Sequence, residues 1–346
     1  MAIFKGLPIP LADETLTSWL YRCSVNRNVS LFDRQELEAR PDWWWSGLRL
    51  DFSELDFDFT SSFYNSAAAS LGLDLNTVNI VFSQRPGPIV DWNSRHFFCP
   101  ECLRYDISQW RLPSWKKNWC YNNSVCCLEH RCELVRLRGS PKYSKAWDSF
   151  IQICNGGPTR NSWDDEHFAI CRISCLSRIH LWLERSNFSN PNNIAVFTKL
   201  YNIFLQSPYR GSYGGAARSL FQFRSSPRGL EASVFRDSVM FGPSTADIPS
   251  RVGSLILVAM LLEIIPQKTV TKLVSCARAV NIFWPTYSEL NRSIFFPSIS
   301  SMDVCFLHEY LGRFDRNRWP LLDEFLSMQE QRYRREGVVT ELIFGT

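Results

Sequence analysis

Two pairs of metal-ligating residues stand out in the middle of the chain. Cys99 and Cys102 lie in Cys-Pro-Glu-Cys, and Cys127 and His130 lie in Cys-Leu-Glu-His. Zinc in a structural site takes four ligands in a tetrahedron, and a spacing of two residues lets one tight turn present both ligands of a pair. The sequence therefore predicts one structural zinc ion held by three cysteines and one histidine.

Neighbouring residues offer alternatives for two of these positions. Cys120, Cys126 and Cys132 are near enough in the sequence to supply the third ligand, and His96 could supply the fourth. Three thiolates and a neutral imidazole leave bound Zn²⁺ with a net charge of about −1, which nearby basic residues would partly offset.

Two other chemistries use a Cys-x-x-Cys pair. A thioredoxin-like redox pair follows a strand and opens a helix in a βαβ unit, and the sequence shows no such pattern around Cys99. A zinc deaminase needs an upstream His-x-Glu, which is missing, and its proline precedes the cysteine pair, whereas Pro100 lies inside this one. The sequence also lacks a phosphate-binding loop and a Gly-x-Ser-x-Gly elbow, so we predict no catalytic residues and no enzyme.

Basic residues concentrate around the cysteines. The formal net charge is only +4, but residues 95–145 hold ten basic and four acidic residues. A positive surface is what phosphates require, although a solvated, charge-balanced face is an equally good interpretation. Trp115 and Trp119 are interleaved with these residues. The candidate nucleic-acid contacts are Arg104, Arg111, Lys116, Lys117, Arg136 and Arg138.

The segments on either side of the cysteines are predicted to be helical. Near the amino terminus, Asp13 is the predicted N-cap of one helix, and residues 30–40 form a second helix that ends before Pro41. The two helices fit half of a helix-turn-helix or a plain helical hairpin, and the hairpin is favoured because no glycine turn or basic second helix is present. Three adjacent tryptophans, 43–45, follow, with two of them expected in the core.

Apolar residues recur at helical spacing through most of the carboxy-terminal half. Cys171 and Cys175 share one such face, so they are predicted to be core residues and not a second metal site. The fold class predicted is mainly α: a helical, helix-turn-helix-like domain (1–92), a small Cys₃His zinc finger (93–145) and a helical domain (146–346). Residues 252–265 are too few for a membrane span, and no secretory signal is apparent, so a soluble cytoplasmic protein without a membrane partner is expected.

Two motifs resemble the TniQ/TnsD family. "CPECLRYD", "WRLPSW" and "CLEHRCEL" are similar to its zinc finger, which reads C-P-x-C-L-x-x-D, R-x-x-W and C-x-x-H-x-x-x-L. "LPIPLADETLTSWLYR" is similar to its opening, a proline followed by D-E-[ST]-L-x-S-[WF]-[LI]-x-R. The resemblance covers residues 1 to about 140. Arg111 and Trp115 are one residue further apart than in the family pattern. Many members of the family also carry a second cysteine pair soon after the first finger, and this sequence has none there.

The resemblance implies a bacterial protein that selects target DNA for a cut-and-paste transposon and brings the AAA+ regulator TnsC to it. Members of the TnsD kind bind a chromosomal attachment site, while shorter members of the TniQ kind act with a CRISPR effector complex (Cascade-like) whose guide RNA chooses the target. At 346 residues the chain favours the second kind. A homodimer is also expected.

Overall fold

The computed structural model of the protein describes most of the chain. The described residues are 6–25, 54–61, 64–65, 68–69, 71–85, 87–139, 141–156, 165–221, 231–297, 300–339 and 343–345. The predicted second amino-terminal helix and the three adjacent tryptophans lie outside them, so only the first helix of the predicted helix-turn-helix-like pair is described.

The chain divides into two compact units. The first comprises Met1–Ser124 and Leu134–Thr159, and the second comprises Val125–Glu133 and Arg160–Thr346. The predicted domain borders near residues 92 and 145 stay a prediction.

The first unit is built from short helices. The α-helices whose bounds the described residues give are α1 (Leu16–Ser24), α2 (Leu75–Phe82), α3 (Pro100–Ser108) and α4 (Lys145–Cys154). Single turns of 3₁₀ helix cover Trp92–Ser94 and Lys117–Cys120. The apolar face of α1 packs with α2 in a buried cluster that includes Trp19, Leu20 and Phe82.

The strands in the described residues are only two residues long. They are β1 (Phe97–Phe98), β2 (Cys126–Cys127), β3 (Cys132–Glu133) and β4 (Val135–Arg136). Within the first unit β1 pairs antiparallel with β4, and within the second unit β2 pairs antiparallel with β3.

The predicted start of the first helix is wrong. Helix α1 has Thr15 as its N-cap, whereas Asp13 lies outside the helix with a left-handed φ of 60°. Its carbonyl accepts a hydrogen bond from the Lys117 backbone N–H at 2.5 Å, and its carboxylate accepts one from the Asn118 N–H at 3.0 Å. Lys117 and Asn118 lie about a hundred positions after Asp13 in the chain. The local sequence therefore cannot show that Asp13 bonds to them instead of capping the helix.

A buried network of charges joins separate parts of the first unit. The Asp56 carboxylate lies 2.7 Å from an Arg95 guanidinium nitrogen and 3.5 Å from Lys145 Nζ, and all three side chains are fully buried. It also accepts hydrogen bonds from the Thr17 N–H at 2.9 Å and hydroxyl at 2.6 Å. Arg95 makes a second ion pair with Glu54. The ammonium of Lys145 lies 3.5 Å from the centroid of a Trp92 ring.

The network lowers the pKa of Asp56. Burial alone would raise the pKa of this carboxyl, but Lys145, Arg95 and the two hydrogen bonds from Thr17 together lower it. A carboxyl whose pKa is lower in the folded protein than in the unfolded chain stabilises the folded state at pH values above the pKa of the unfolded chain. This stabilisation is therefore lost as the pH falls below about 4.

The second unit is a bundle of helices of very different length. In chain order they are α5 (Glu166–Ser189), α6 (Pro191–Phe204), α7 (Ala216–Phe221), α8 (Phe235–Met240), α9 (Gly242–Thr245), α10 (Ile248–Leu261), α11 (Gln267–Ala279), α12 (Leu290–Ser293), α13 (Ser301–Leu311) and α14 (Pro320–Arg335). A turn of 3₁₀ helix, Arg316–Arg318, precedes α14. The mainly α fold class is thereby confirmed for the described residues.

Helix α10 is the core of the second unit. All fourteen of its residues are buried, and it packs against α5, α6, α7 and α14. A side chain at Gly253 would meet the Phe221 ring of α7 at 2.0 Å, so glycine is what allows these two helices to approach. The apolar run at 252–265 is therefore largely a core helix. Within the described residues, no helix combines the length and the apolarity that a bilayer crossing requires.

Asp56→Asn should destabilise the first unit strongly, because it leaves Arg95 and Lys145 buried without their shared carboxylate. Breaking a buried ion pair from one side costs about 3–5 kcal/mol, and urea denaturation followed by tryptophan fluorescence would measure it. Glu101→Gln is the matched control, since it breaks a half-exposed pair with Arg104 and should cost at most about 1 kcal/mol. Equal losses in the two variants would contradict a central role for the buried network.

Candidate metal centre

The first ligand pair lies where a strand gives way to a helix. Cys99 follows β1 and is the N-cap of α3, and its Sγ accepts a hydrogen bond from the Cys102 N–H at 3.5 Å. Pro100 occupies the first turn of α3, where its missing N–H costs nothing. Both thiols are buried. The first turn of the helix thus brings together two thiols that are separated by two residues in the sequence.

The second pair lies on a hairpin. Cys127 ends β2, and a turn through residues 128–131 leads into β3, with Arg131 in a left-handed conformation at φ 49°. Cys127 Sγ lies 3.4 Å from Nδ1 of His130. The thiol of Cys127 is buried and the imidazole is half-buried. The tight turn therefore brings both side chains to one side of the hairpin.

The four predicted ligands form one cluster. One ligand atom each from Cys99, Cys102, Cys127 and His130 lies within 4.8 Å of all the others. Around a tetrahedral ion with bonds of about 2.3 Å, sulfur atoms would lie about 3.8 Å apart, so small side-chain movements suffice to bind an ion. The cluster is the right size and composition for a structural metal ion. Four protein ligands also fill a tetrahedral shell, which leaves no position for a reactive water.

The alternative ligands lie outside this cluster. Side chains alternate along a strand, so Cys126 points away from the side that Cys127 presents. Cys120 is buried beside Arg95 and Lys145, and burial raises the pKa of its thiol to about 12. Cys132 and His96 are likewise not members of the cluster. The predicted choice among the neighbouring cysteines and histidines therefore agrees with the geometry.

The described residues around Cys99 do not form the βαβ unit of a thioredoxin-like redox pair. Cys99 does follow a strand and open a helix, which the sequence pattern did not indicate. However, β1 pairs antiparallel with β4 in a two-residue ladder, and not in a parallel βαβ unit. Because Cys127 and His130 complete a four-ligand set around the pair, metal binding remains the better interpretation.

The hairpin of the second pair is fixed by a buried ion pair. Glu133 of β3 accepts a hydrogen bond from Arg172 Nε of α5 at 2.5 Å, and the Arg172 side chain is only 1% exposed. The guanidinium also lies 4.2 Å from the centroid of the Phe168 ring. Within the second unit, the metal-binding hairpin is thereby held to the longest of the described helices.

The amino-terminal motif directly contacts the segment between the two ligand pairs. The Thr15 N–H donates to the Trp115 carbonyl at 2.9 Å, and the Trp115 N–H donates to the Ser18 hydroxyl at 2.8 Å. Glu14 is bridged to Lys116 through the backbone, and its buried carboxylate accepts a hydrogen bond from Arg22 at 2.6 Å. The acid, the serine and the arginine of the first motif therefore support the segment that carries Trp115.

Two further motif residues are internal supports. The Asp106 carboxylate accepts hydrogen bonds from the Ser114 N–H at 2.9 Å and hydroxyl at 2.6 Å. Trp115 is fully buried and packs edge-on against Trp119, with ring centroids 5.3 Å apart. Trp119 is only 4% exposed. Neither tryptophan can stack on a nucleic-acid base in this conformation.

The six basic candidates fall into two groups. Lys116 Nζ donates to the Ser114 hydroxyl at 2.8 Å, and Lys117 Nζ donates to the carbonyls of Val81 and Ser83 at 3.2 and 3.0 Å. Both lysines are half-buried and used within the fold. The exposed candidates are Arg104, which pairs with Glu101, together with Arg111, Arg136 and Arg138.

Trp110 opens the motif "WRLPSW" but is not among the predicted site residues. Its side chain is 98% exposed, and its left-handed φ of 57° ends the turn after α3 beside Arg111. Tyr105 of the same helix is 53% exposed. Exposed aromatic residues next to arginine are typical of contact surfaces. Most tryptophans are core residues, and no local feature of the sequence shows that Trp110 is exposed while Trp115 is buried.

No family model, curated protein or solved structure matches the chain.

Replacing any of the four clustered residues by alanine should remove the metal ion and lower the thermal midpoint of the purified protein. Three ligands bind an ion far less tightly than four, and binding energy contributes to folding. Elemental analysis by plasma mass spectrometry should fall from one ion per chain toward none in the Cys99, Cys102, Cys127 and His130 variants.

Cys126→Ser and Cys132→Ser are the matched controls, because both cysteines adjoin the cluster without belonging to it. Both variants should retain one ion per chain. The assignment fails if freshly purified, folded protein contains no metal, or if Cys126→Ser loses the ion while Cys127→Ser keeps it.

Proposed function

We propose that the metal ion is zinc. Thiolate ligands select soft or borderline metals, and a set of three thiolates and one imidazole in a closed tetrahedron is a common structural zinc site. The short spacing within each ligand pair supports the same choice. One zinc ion would stabilise the finger without taking part in chemistry.

Protein expressed in unsupplemented medium should contain one zinc ion per chain and less than one-tenth as much iron or copper. Exchange with Co²⁺ should give the visible absorption of a tetrahedral thiolate complex, and added Zn²⁺ should abolish it. The Cys102→Ala variant, which has only three of the four ligands, is the control and should bind Co²⁺ more weakly. An iron–sulfur spectrum in the native protein would overturn the zinc assignment.

We further propose that the protein is a non-catalytic adaptor that selects target sites for DNA transposition. In this role it bridges a CRISPR effector complex with its guide RNA to the AAA+ regulator TnsC, as a homodimer. The supporting observation is that the two motifs of the TniQ/TnsD resemblance contact each other: Thr15 and Ser18 from the first motif bond both backbone groups of Trp115 from the second. Two unrelated chance matches to the family pattern would not be expected to contact each other, so this contact supports the resemblance.

The internal roles of the motif residues bear on how such an adaptor would work. Asp106, Glu14 and Trp115 are buried, so they support the element and would not touch a partner. The exposed residues Trp110 and Arg111 adjoin it and are the residue types that dominate protein interfaces. Partner binding would therefore use the surface of the element, while its motif residues keep that surface rigid.

A second candidate is a TnsD-type protein that reads an attachment site directly and recruits the same regulator. It is favoured by the exposed arginines Arg104, Arg111, Arg136 and Arg138, since each could neutralise a phosphate. Against it, Lys116 and Lys117 are used within the fold, and the interleaved tryptophans Trp115 and Trp119 are buried. The adaptor role requires fewer contacts to phosphates and is the function we propose.

Tagged protein should co-purify with a CRISPR effector complex carrying its guide RNA and, separately, with TnsC, both supplied from the same host. It should bind DNA weakly and without sequence preference. The variant with all four exposed arginines changed to alanine should lower the slope of log affinity against log salt, by up to about 0.9 for each lost phosphate contact. Arg278→Ala, an exposed arginine of α11, is the control.

The outcomes of this experiment separate the two candidates. A specific footprint on attachment-site DNA, steeply weakened by salt and present without the effector, would establish the second candidate in place of the first. Failure to bind either TnsC or the effector would contradict target selection as a whole. Retention of both partners by the four-arginine variant would place the partner contacts elsewhere on the protein.

A further inference from the structure

Two cysteines from distant parts of the sequence meet inside the second unit. Cys171 lies on α5 and Cys276 lies on α11, and these helices pack side by side. Their Sγ atoms are 3.4 Å apart, although the residues are 105 positions apart in the chain. A disulfide has a sulfur–sulfur distance of about 2.05 Å, so the two atoms need to approach by only about 1.4 Å.

The two thiols differ in accessibility. Cys171 is 6% exposed, and burial, followed by its contact with Cys276, raises the pKa of its thiol to about 11. Cys276 is half-buried at the edge of the helix pair. Lys272 lies one turn before Cys276 on α11, and its charge opposes the effect of burial on the pKa of Cys171. A small oxidant from solvent would therefore reach Cys276 first, with Cys171 held as the resolving thiol.

We propose that Cys171 and Cys276 are a site of reversible oxidation by peroxide. The Cys276 thiolate attacks hydrogen peroxide, its sulfur takes one oxygen to become a sulfenic acid, and hydroxide leaves. The Cys171 sulfur then attacks the Cys276 sulfur, the sulfur–sulfur bond forms, and the oxygen leaves with the proton of Cys171 as water. Two electrons pass from the two thiols to one peroxide, which is reduced to water.

The pair is distinct from the metal cluster. Neither cysteine belongs to the four-ligand group, and oxidation would link α5 to α11 through a covalent bond instead of removing a ligand. Arg172, next to Cys171, holds Glu133 of the metal-binding hairpin. Within the second unit, the linked helix is thus the one that fixes the hairpin. This inference is independent of the proposed role in transposition.

The test treats the full, metal-loaded protein with hydrogen peroxide under native conditions, followed by alkylation and peptide mass spectrometry. We expect a linked pair of peptides containing Cys171 and Cys276, two hydrogens lighter than the reduced pair, and its reversal by dithiothreitol. The oxidised protein should unfold at a higher denaturant concentration, because the link closes a long loop. Metal release, followed with a chelating dye, should lag behind the linkage.

Matched variants make the result specific. Cys175→Ser removes a fully buried cysteine one turn further along α5 and should form the same link. Cys276→Ser should form no link and leave Cys171 reduced. The proposal is overturned if Cys171 and Cys276 stay reduced in the folded wild-type protein at peroxide doses that oxidise the exposed Cys305, or if the link forms only after the metal has been released.

Discussion

The first unit depends on one buried carboxylate. Asp56 lies between Arg95 and Lys145, two fully buried cations that bracket the cysteine-bearing segment in sequence. It also holds the start of α1 through Thr17. Burying a cation is costly unless it is paired and hydrogen-bonded. The position of Arg95, and with it the entry into β1 and the first ligand pair, is therefore set by a residue that no local pattern connects to the metal site.

This constraint changes the meaning of the positive charge around the cysteines. Ten basic against four acidic residues indicated a strongly positive segment, but Arg95 and Lys145 are internal and neutralised by Asp56 and Glu54. Lys116 and Lys117 are also used within the fold. The surface is accordingly less positive than the sequence suggests. A charge count over a segment measures attraction to phosphates only when the paired and buried residues are removed from it.

What the sequence could predict follows from which interactions are local. The ligand pairs were predictable because two residues in one turn need no distant partner, and the apolar helices α5, α6 and α10 were predictable from their periodicity. Helix α3 was not, because its apolar residues are too few to show a period and its start is specified by Cys99 as N-cap. Asp13 was misassigned because its partners, Lys117 and Asn118, lie far along the chain.

The motif residues that hold the first unit together differ from those that a partner could contact. Glu14, Ser18, Asp106 and Trp115 all have partners inside the first unit, so the fold alone accounts for these types at these positions. The fold does not account for Trp110, which exposes nearly its whole ring to water from a left-handed backbone conformation that a glycine would adopt with less strain.

An exposed tryptophan in such a conformation stabilises nothing visible within the described residues. Its neighbour Arg111 is likewise exposed, and the turn that presents both is itself fixed by Asp106, which accepts the Arg111 N–H through its carbonyl at 3.0 Å and the Ser114 N–H through its carboxylate. A rigid turn that displays a tryptophan and an arginine has the composition of an interface hot spot. In the adaptor that we propose, this turn is the surface that a partner is expected to contact, whereas the buried motif residues support it.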